Sequence, residues 1–296
     1  MKLLKNAVAG AIVAGAMAIG NAYGDKPGDR NFGFNYSPDE KYVIFYSYRG
    51  DARPDIWVRG PHGTEKNLTA RTETWDIEPN FSPDGSKIIY ASGPNMGMLS
   101  LRIMNADGSD DRIFYDGDDN EVAPNWSPDG SKVIFSAFNR NEDTNIIYIT
   151  DANGGHARSL TADLPGQSSN ASWSPDGKWI VFSNKLGDDG QADIYKMQSD
   201  GSHRQRLTND TLSQIAPVFT PDMKSIIFIG FAENGRADLY SMPADGLHHG
   251  TMSTRISHTN GDLKYFLKYT PNGQHLIFSE GDWNKGFKLA HLAAPR

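Results

Sequence analysis

The chain has 296 residues, a formal charge of −7 and no basic tract, which makes binding to nucleic acid through phosphate neutralisation a poor fit. It has no cysteine, so disulfides, thiolate metal sites and cysteine nucleophiles are excluded. A hydrophobic content of 38% with 30 Gly and 16 Pro fits a turn-rich all-β chain, long enough for one large repeat-built domain.

The first 24 residues open with Lys2 and Lys5, run apolar from Ala7 to Gly20 and end in Asn21-Ala22-Tyr23-Gly24. A positive start, a short apolar run and a small-residue exit describe a secretory signal peptide cleaved after Ala22 or Gly24. The run is shorter than the roughly 20 apolar residues a membrane span needs, and no cysteine follows to carry a lipid anchor. The expectation is a signal peptide over 1–24, one domain over 25–296, and a periplasmic or secreted destination.

Beyond the leader one pattern recurs six times. It is clearest at Trp126-Ser127-Pro128-Asp129-Gly130, followed by the apolar run Val133-Ile134-Phe135. Proline presets the first corner of a turn, aspartate bonds the amides ahead of it, and glycine takes the dihedrals other residues resist. The apolar run suits a strand buried on both faces. The equivalent prolines are 38, 83, 128, 175, 221 and 271, spaced by 45, 45, 47, 46 and 50 residues. That period, with four short strands per unit, predicts a six-bladed β-propeller.

Within each unit a third strand follows, starting at Asp55, Asn145, Asp193 and Asp238 in four of them. Hairpin turns then stand at His62-Gly63, Asp107-Gly108, Asn153-Gly154, Asp200-Gly201 and Asp245-Gly246. A fourth strand ends in Leu68-Thr69, Leu160-Thr161 or Leu207-Thr208. The aromatics that open the blades, Tyr36, Phe81, Trp126, Trp173, Phe219 and Tyr269, are expected to pack between neighbouring blades. The aspartates of the Pro-Asp turns are spread around a ring and are read as turn formers. The sixth unit stops 25 residues after Pro271, before a fourth strand. It is expected to hold three strands, or to borrow only an irregular piece from Asp25 to Phe32, leaving an unpaired edge that either is protected or pairs with another chain.

The Trp-Ser-Pro-Asp-Gly-Lys pattern at Trp173, with Asp193-Ile194-Tyr195 and Asp200-Gly201-Ser202 through Leu207-Thr208, resembles the repeat of the TolB-type propeller family. The resemblance covers about residue 30 to the end. It implies a six-bladed propeller that in TolB stands behind an N-terminal α/β domain and binds the peptidoglycan-associated lipoprotein. Between Gly24 and Asn31 there is no room for that domain, so the likeness is expected to be to the propeller alone. Related repeats occur in oligogalacturonate lyases and in the gating domain of prolyl oligopeptidases. No Gly-x-Ser-x-Gly elbow follows for the peptidase reading.

Counting back seven residues from each blade proline gives Asn31, Asp76, Glu121, Ser168, Gln214 and Lys264, with Phe32, Ile77, Val122, Ser169, Ile215 and Tyr265 one residue later. This polar ring over a mostly apolar one is read as a channel mouth, with Arg30 and Lys264 across from Asp76 and Glu121. Such a mouth suits a cation, a peptide terminus or a sugar, or only water. Arg49, Arg53, Arg140, Glu142, Asp143, Asp188, Asp189, Arg236 and Trp283 are placed on the rim. His62, His156, His203, His248, His249, His258, His275 and His291 are dispersed, so no metal and no cofactor is expected. The acidic loops at 116–120 and 188–190 lack EF-hand spacing and are read as turns.

These features describe an exported, non-enzymatic binding or scaffold protein that recruits an envelope protein or polysaccharide through Arg30, Asn31, Asp76, Glu121, Gln214, Lys264 and Tyr265. The alternative is a lyase or hydrolase acting on an oligosaccharide, with Asp76 and Glu121 as acid and base.

Overall fold

The computed structural model describes residues 30–49, 53–70, 73–139, 143–187, 190–209, 212–231, 237–246, 253–257, 263–282 and 286–294, with the side chains of residues 263, 264, 282, 286 and 288 outside that description. The signal peptide expected over residues 1–24 lies outside the described residues, as do residues 25–29, and Arg30 to Phe32 belong to the first strand.

Every sheet is antiparallel and its strands follow chain order. Blade one is β1 (Arg30–Tyr36), β2 (Val43–Tyr48), β3 (Asp55–Arg59) and β4 (Glu65–Asn67). Blade two is β5 (Trp75–Phe81), β6 (Lys87–Gly93), β7 (Ser100–Asn105) and β8 (Arg112–Tyr115). Blade three is β9 (Asn120–Trp126), β10 (Lys132–Asn139), β11 (Thr144–Asp151) and β12 (Arg158–Ser159). Blade four is β13 (Gln167–Trp173), β14 (Trp179–Lys185), β15 (Ala192–Gln198) and β16 (Gln205–Arg206). Blade five is β17 (Ser213–Phe219), β18 (Ser225–Phe231), β19 (Ala237–Pro243) and β20 (Thr254–Arg255). Blade six has three strands, β21 (Leu263–Tyr269), β22 (His275–Asp282) and β23 (Gly286–Ala293). The fold is the expected all-β six-bladed propeller with a three-stranded last blade.

The repeated turn works as its chemistry requires. In blade two, Ser82 Oγ donates to Asp84 Oδ1 at 2.6 Å and accepts from Lys87 N at 2.9 Å, while Ser86 N donates to Asp84 Oδ1 at 3.0 Å. Blade six keeps the arrangement with Thr270 and Asn272, because the amide oxygen still accepts at 2.8 Å. The Leu-Thr signature is a second clasp. Thr69, Thr161 and Thr208 hydroxyls accept from the third-strand amides of Ile56, Ile147 and Ile194 at 3.0, 2.9 and 2.9 Å. Ser257 does the same for Leu239 at 2.9 Å. Each hydroxyl satisfies an outward N–H that the two-to-four-residue fourth strand leaves uncovered.

Buried second and third strands fill the blades, with Ile44, Phe45, Ile88, Ile89, Val133, Phe135, Ile180 and Phe182 fully enclosed. The blade-opening aromatics pack across the seams: Trp126 meets Phe114 edge-on at 6.2 Å, and Trp173 Nε1 donates to Asn125 O at 3.2 Å. The ring closes by side chains. Phe32 lies 4.6 Å from Phe287, Tyr36 Oη sits 3.0 Å from His291 Nε2, and Glu40 accepts from Asn272 N and Nδ2 at 2.8 Å each.

Each inner strand (β1, β5, β9, β13, β17, β21) carries a register shift two to five residues before its turn. At its centre one residue is left-handed: Gly33, Glu78, Ala123, Asn170, Ala216 and Phe266, with φ between 52° and 63°. A bulge of this kind bends the strand and re-aims the side chains beyond it.

Met223, 39% exposed with φ 58°, stands in the fifth turn where Gly85, Gly130, Gly177 and Gly273 stand in others. Met223→Gly removes a left-handed penalty and is expected to raise unfolding free energy in urea by about 1 kcal/mol. A loss of stability would contradict this reading of the turn.

Candidate functional site: the axial channel

The six inner strands enclose a cavity of about 90 Å³, and every blade contributes to its wall. In blades two to six its lining begins at the left-handed residue and runs two positions further, while blade one gives Gly33 alone, so small groups such as Gly33, Ala123 and Ala216 alternate with Asn80, Asn125 and Ser172. One acid and one base enter it, Glu78 from blade two and Lys268 from blade six. Gly33 of the blade between them brings no side chain.

The polar atoms of this wall are mutually engaged. Ala123 N donates to Glu78 Oε2 at 2.6 Å, and Asn80 Nδ2 donates to Pro124 O at 2.7 Å. Lys268 Nζ donates to Asn80 Oδ1. The Asn35 carboxamide lies 3.0 Å from Lys268 Nζ; with its oxygen turned toward that ammonium, its nitrogen donates to Tyr36 O at 3.0 Å. Asn35, Asn80 and Lys268 therefore form one hydrogen-bonded cluster across blades one, two and six, and Glu78, tied to blade three through Ala123 N, adds a negative charge that Lys268 feels.

The ring expected at the mouth sits two to four positions before this lining on the same strands. Its members pair with the second strand of their own blades: Asn31 with Ser47, Asp76 with Ser92, Glu121 with Ala137, Ser168 with Asn184, Gln214 with Gly230 and Lys264 with Glu280. Asn31, Asp76, Glu121, Ser168 and Gln214 are buried. The Asp76 carboxylate accepts from Ser92 Oγ at 2.5 Å and Thr74 Oγ1 at 3.3 Å, while Asp76 N donates to Pro54 O of blade one at 2.9 Å. Glu121 faces its own loop, where the Gly117 amide donates to it and Asp116 and Asp119 stand nearby. Asp76 and Glu121 thus occupy equivalent places in adjacent blades, each in a separate enclosed environment. Arg30 and Tyr265 are half-buried, and the Tyr265 ring lies tilted against Phe266 and Phe287.

Of the rim residues, Arg49 is bound to Glu65 at 2.5 Å and lies 3.8 Å over the Trp57 ring, Arg53 donates to Glu73 O, and Asp143 O accepts from Gln167 Nε2 at 3.2 Å. Arg140, Glu142, Asp188, Asp189, Arg236, Trp283, His248, His249 and His258 lie outside the described residues. Among the described residues no three His, Asp or Glu side chains converge as a metal site would require. No described helix is long and apolar enough to cross a membrane.

Residues 93–294 match the family model described as the TolB beta propeller domain. The chain belongs to that family. TolB from Acinetobacter baumannii is similar in fold, with a TM-score of 0.62 at 22% identity over 74% of this chain and 53% of that one. The chain therefore spans about half the length of that protein. A putative TolB from Agrobacterium tumefaciens aligns with a TM-score of 0.59 at 19% identity, covering 90% and 82% of the two chains. An oligogalacturonate lyase in complex with manganese aligns with a TM-score of 0.66 at 16% identity, covering 92% and 79%. At these identities the likeness is one of fold. No curated protein matches the chain in sequence.

Electrostatics separates this TolB-type propeller's buried groups into two sets. Burial raises Glu78 to about 7, against the pull of the Ala123 amide and Lys268, and burial lowers Lys268 to about 8 against the pull of Glu78. Lys268 keeps some contact with the channel space yet has protein on all sides. Glu121 is the other raised acid, pushed to about 8 by burial, and its Oε2 has no partner among the described residues.

The raised value of Glu121 gives a signed prediction. The native state holds a proton that the unfolded chain releases, so this contribution is complete below pH 4.5 and is lost as pH rises toward 8. Glu121→Gln is expected to raise the melting temperature at pH 8 by a few degrees and to leave it nearly unchanged at pH 4. A fall at pH 8 would show that the ionised carboxylate stabilises the fold.

Proposed function

We propose that this chain is an exported, periplasmic binding module, with residues 1–24 removed as a signal peptide and 25–296 forming the propeller. It recruits a protein partner at the channel mouth without catalysing a reaction. The observation that carries this reading is the channel's size. About 90 Å³ holds a handful of waters, whereas pockets that enclose organic ligands run to several hundred Å³. A sugar chain does not fit inside; a peptide laid over the opening can present one polar group to the network of Asn80, Glu78 and Lys268. Arg30, Lys264 and Tyr265, at earlier positions on the same strands, are the proposed surroundings of that contact, with the buried Asn31, Asp76, Glu121 and Gln214 holding the strands beneath it.

Family membership supports a role in the envelope, because in TolB a propeller of this kind binds an envelope protein. The fold likeness to oligogalacturonate lyase supports the alternative, an acid/base enzyme using Asp76 and Glu121. Enclosure of both carboxylates weighs against it, since a general acid must reach the atom it protonates.

Affinity capture from envelope extract with the exported form tests the choice. A protein is expected to bind the unmodified bait at least tenfold more strongly than a Glu78→Gln/Lys268→Met bait, which neutralises both charges together. Oligosaccharide turnover that disappears in Asp76→Asn would overturn the binding reading. Cell fractionation checks export: the shortened form should appear in the periplasmic fraction.

A further inference from the structure

Away from the channel, on the face that carries the hairpin turns, the seam between blades one and two opens into a groove of about 560 Å³. Its floor is apolar, made by Pro38, Val58, Leu68 and Phe81, with Tyr42 along one side. At the next three seams longer side chains reach across. Val58 and Phe81 occupy the positions that Ile103 and Trp126 hold at the next seam, and Ile149 and Trp173 at the one after. There the indoles close the space, Trp126 against Phe114 and Trp173 across to Asn125. At the seam after those, Lys196 lies 5.1 Å from the Trp179 ring and donates to Ala244 O at 2.8 Å. Between blades one and two the side chains are shorter, and the space is left open.

The rim has a sign. Asp39, Asp84 and Asp107 line it, against one lining cation, Lys66. Lys66 Nζ is engaged by Asp107 O at 2.9 Å, and Lys41 outside the groove pairs with Asp39 at 3.0 Å, so an acidic excess remains. The serine-aspartate turns hold Asp39 and Asp84 in place, so these charges are fixed in direction before any ligand arrives.

We propose that this seam is a second binding site, independent of the channel, for a cationic amphiphile: an aromatic or branched aliphatic body carrying an amine or guanidinium. The body fills the place an indole takes at the next two seams, and the cation meets Asp39, Asp84 and Asp107. The same chemistry is offered by a free aralkylamine and by a Phe-Lys sequence in a peptide.

Calorimetry at low salt with the exported form tests this, using phenethylamine, its neutral counterpart 2-phenylethanol, and the dipeptide Phe-Lys. Phenethylamine should bind saturably, at least fivefold tighter than the alcohol, and weaken as salt rises. Phe81→Trp copies the neighbouring seams, so it should fold normally and lower affinity at least tenfold. Lys66→Met removes the competing cation and should tighten binding about threefold. Tighter binding of the dipeptide than of the amine assigns the site to peptides, and the reverse assigns it to small amines. Equal binding of amine and alcohol, or no effect of Phe81→Trp in a folded variant, would overturn the proposal. Because none of these variants touches the channel, partner capture by Glu78 and Lys268 can fail while this site stands.

Discussion

Six inner strands crowd one axis, and each must bend there without losing its pairing to the second strand. The structure meets that constraint with one left-handed residue per strand, from Gly33 through Phe266. The bulge it creates turns the following two residues toward the axis, which is why the wall is built from Asn80, Asn125, Ser172 and Lys268. It also leaves the residues before it, Asp76 and Gln214 among them, enclosed against their own second strands. A change of local handedness thus decides which polar groups meet the channel and which hold the blade together.

Much of the architecture was legible because turn chemistry is local. A hydroxyl, a proline and an aspartate in sequence specify the first hairpin by themselves, and the structure shows each group making the bond its type suggests. The three-stranded sixth blade followed from counting residues after Pro271. The fourth strands of blades two and five were harder to read. Phe114-Tyr115 and Ile256-Ser257 replace Leu-Thr there, although Ser257 preserves the hydroxyl clasp.

The channel lining was less legible, for a physical reason. Strict alternation along an inner strand places the residue seven before the proline toward the axis, but a bulge breaks alternation, and nothing in Glu78 or Phe266 announces a left-handed conformation. Gly33 and Asn170 at the same repeat position carried the available signal, because both tolerate positive φ. Lys268 and Glu78 lay within the repeats, yet the Lys268–Asn80 hydrogen bond and the attraction between the two charges join blades two and six across the ring closure, which no local spacing reports. The open seam shows the same limit. Phe81 in place of tryptophan is visible in the sequence, but the space it leaves depends on Val58, supplied by the preceding blade.

On the function proposed above, a protein partner seats over the axial channel. Site-specific photo-crosslinking in living cells can trap that contact, with a benzophenone side chain in place of half-buried Arg30 beside the mouth and, as control, of exposed Met98 on blade two. One discrete protein adduct is expected from position 30 and none of that size from position 98. Equal adducts from both positions, or adducts from position 98 alone, would move the interface off the axis and contradict that placement.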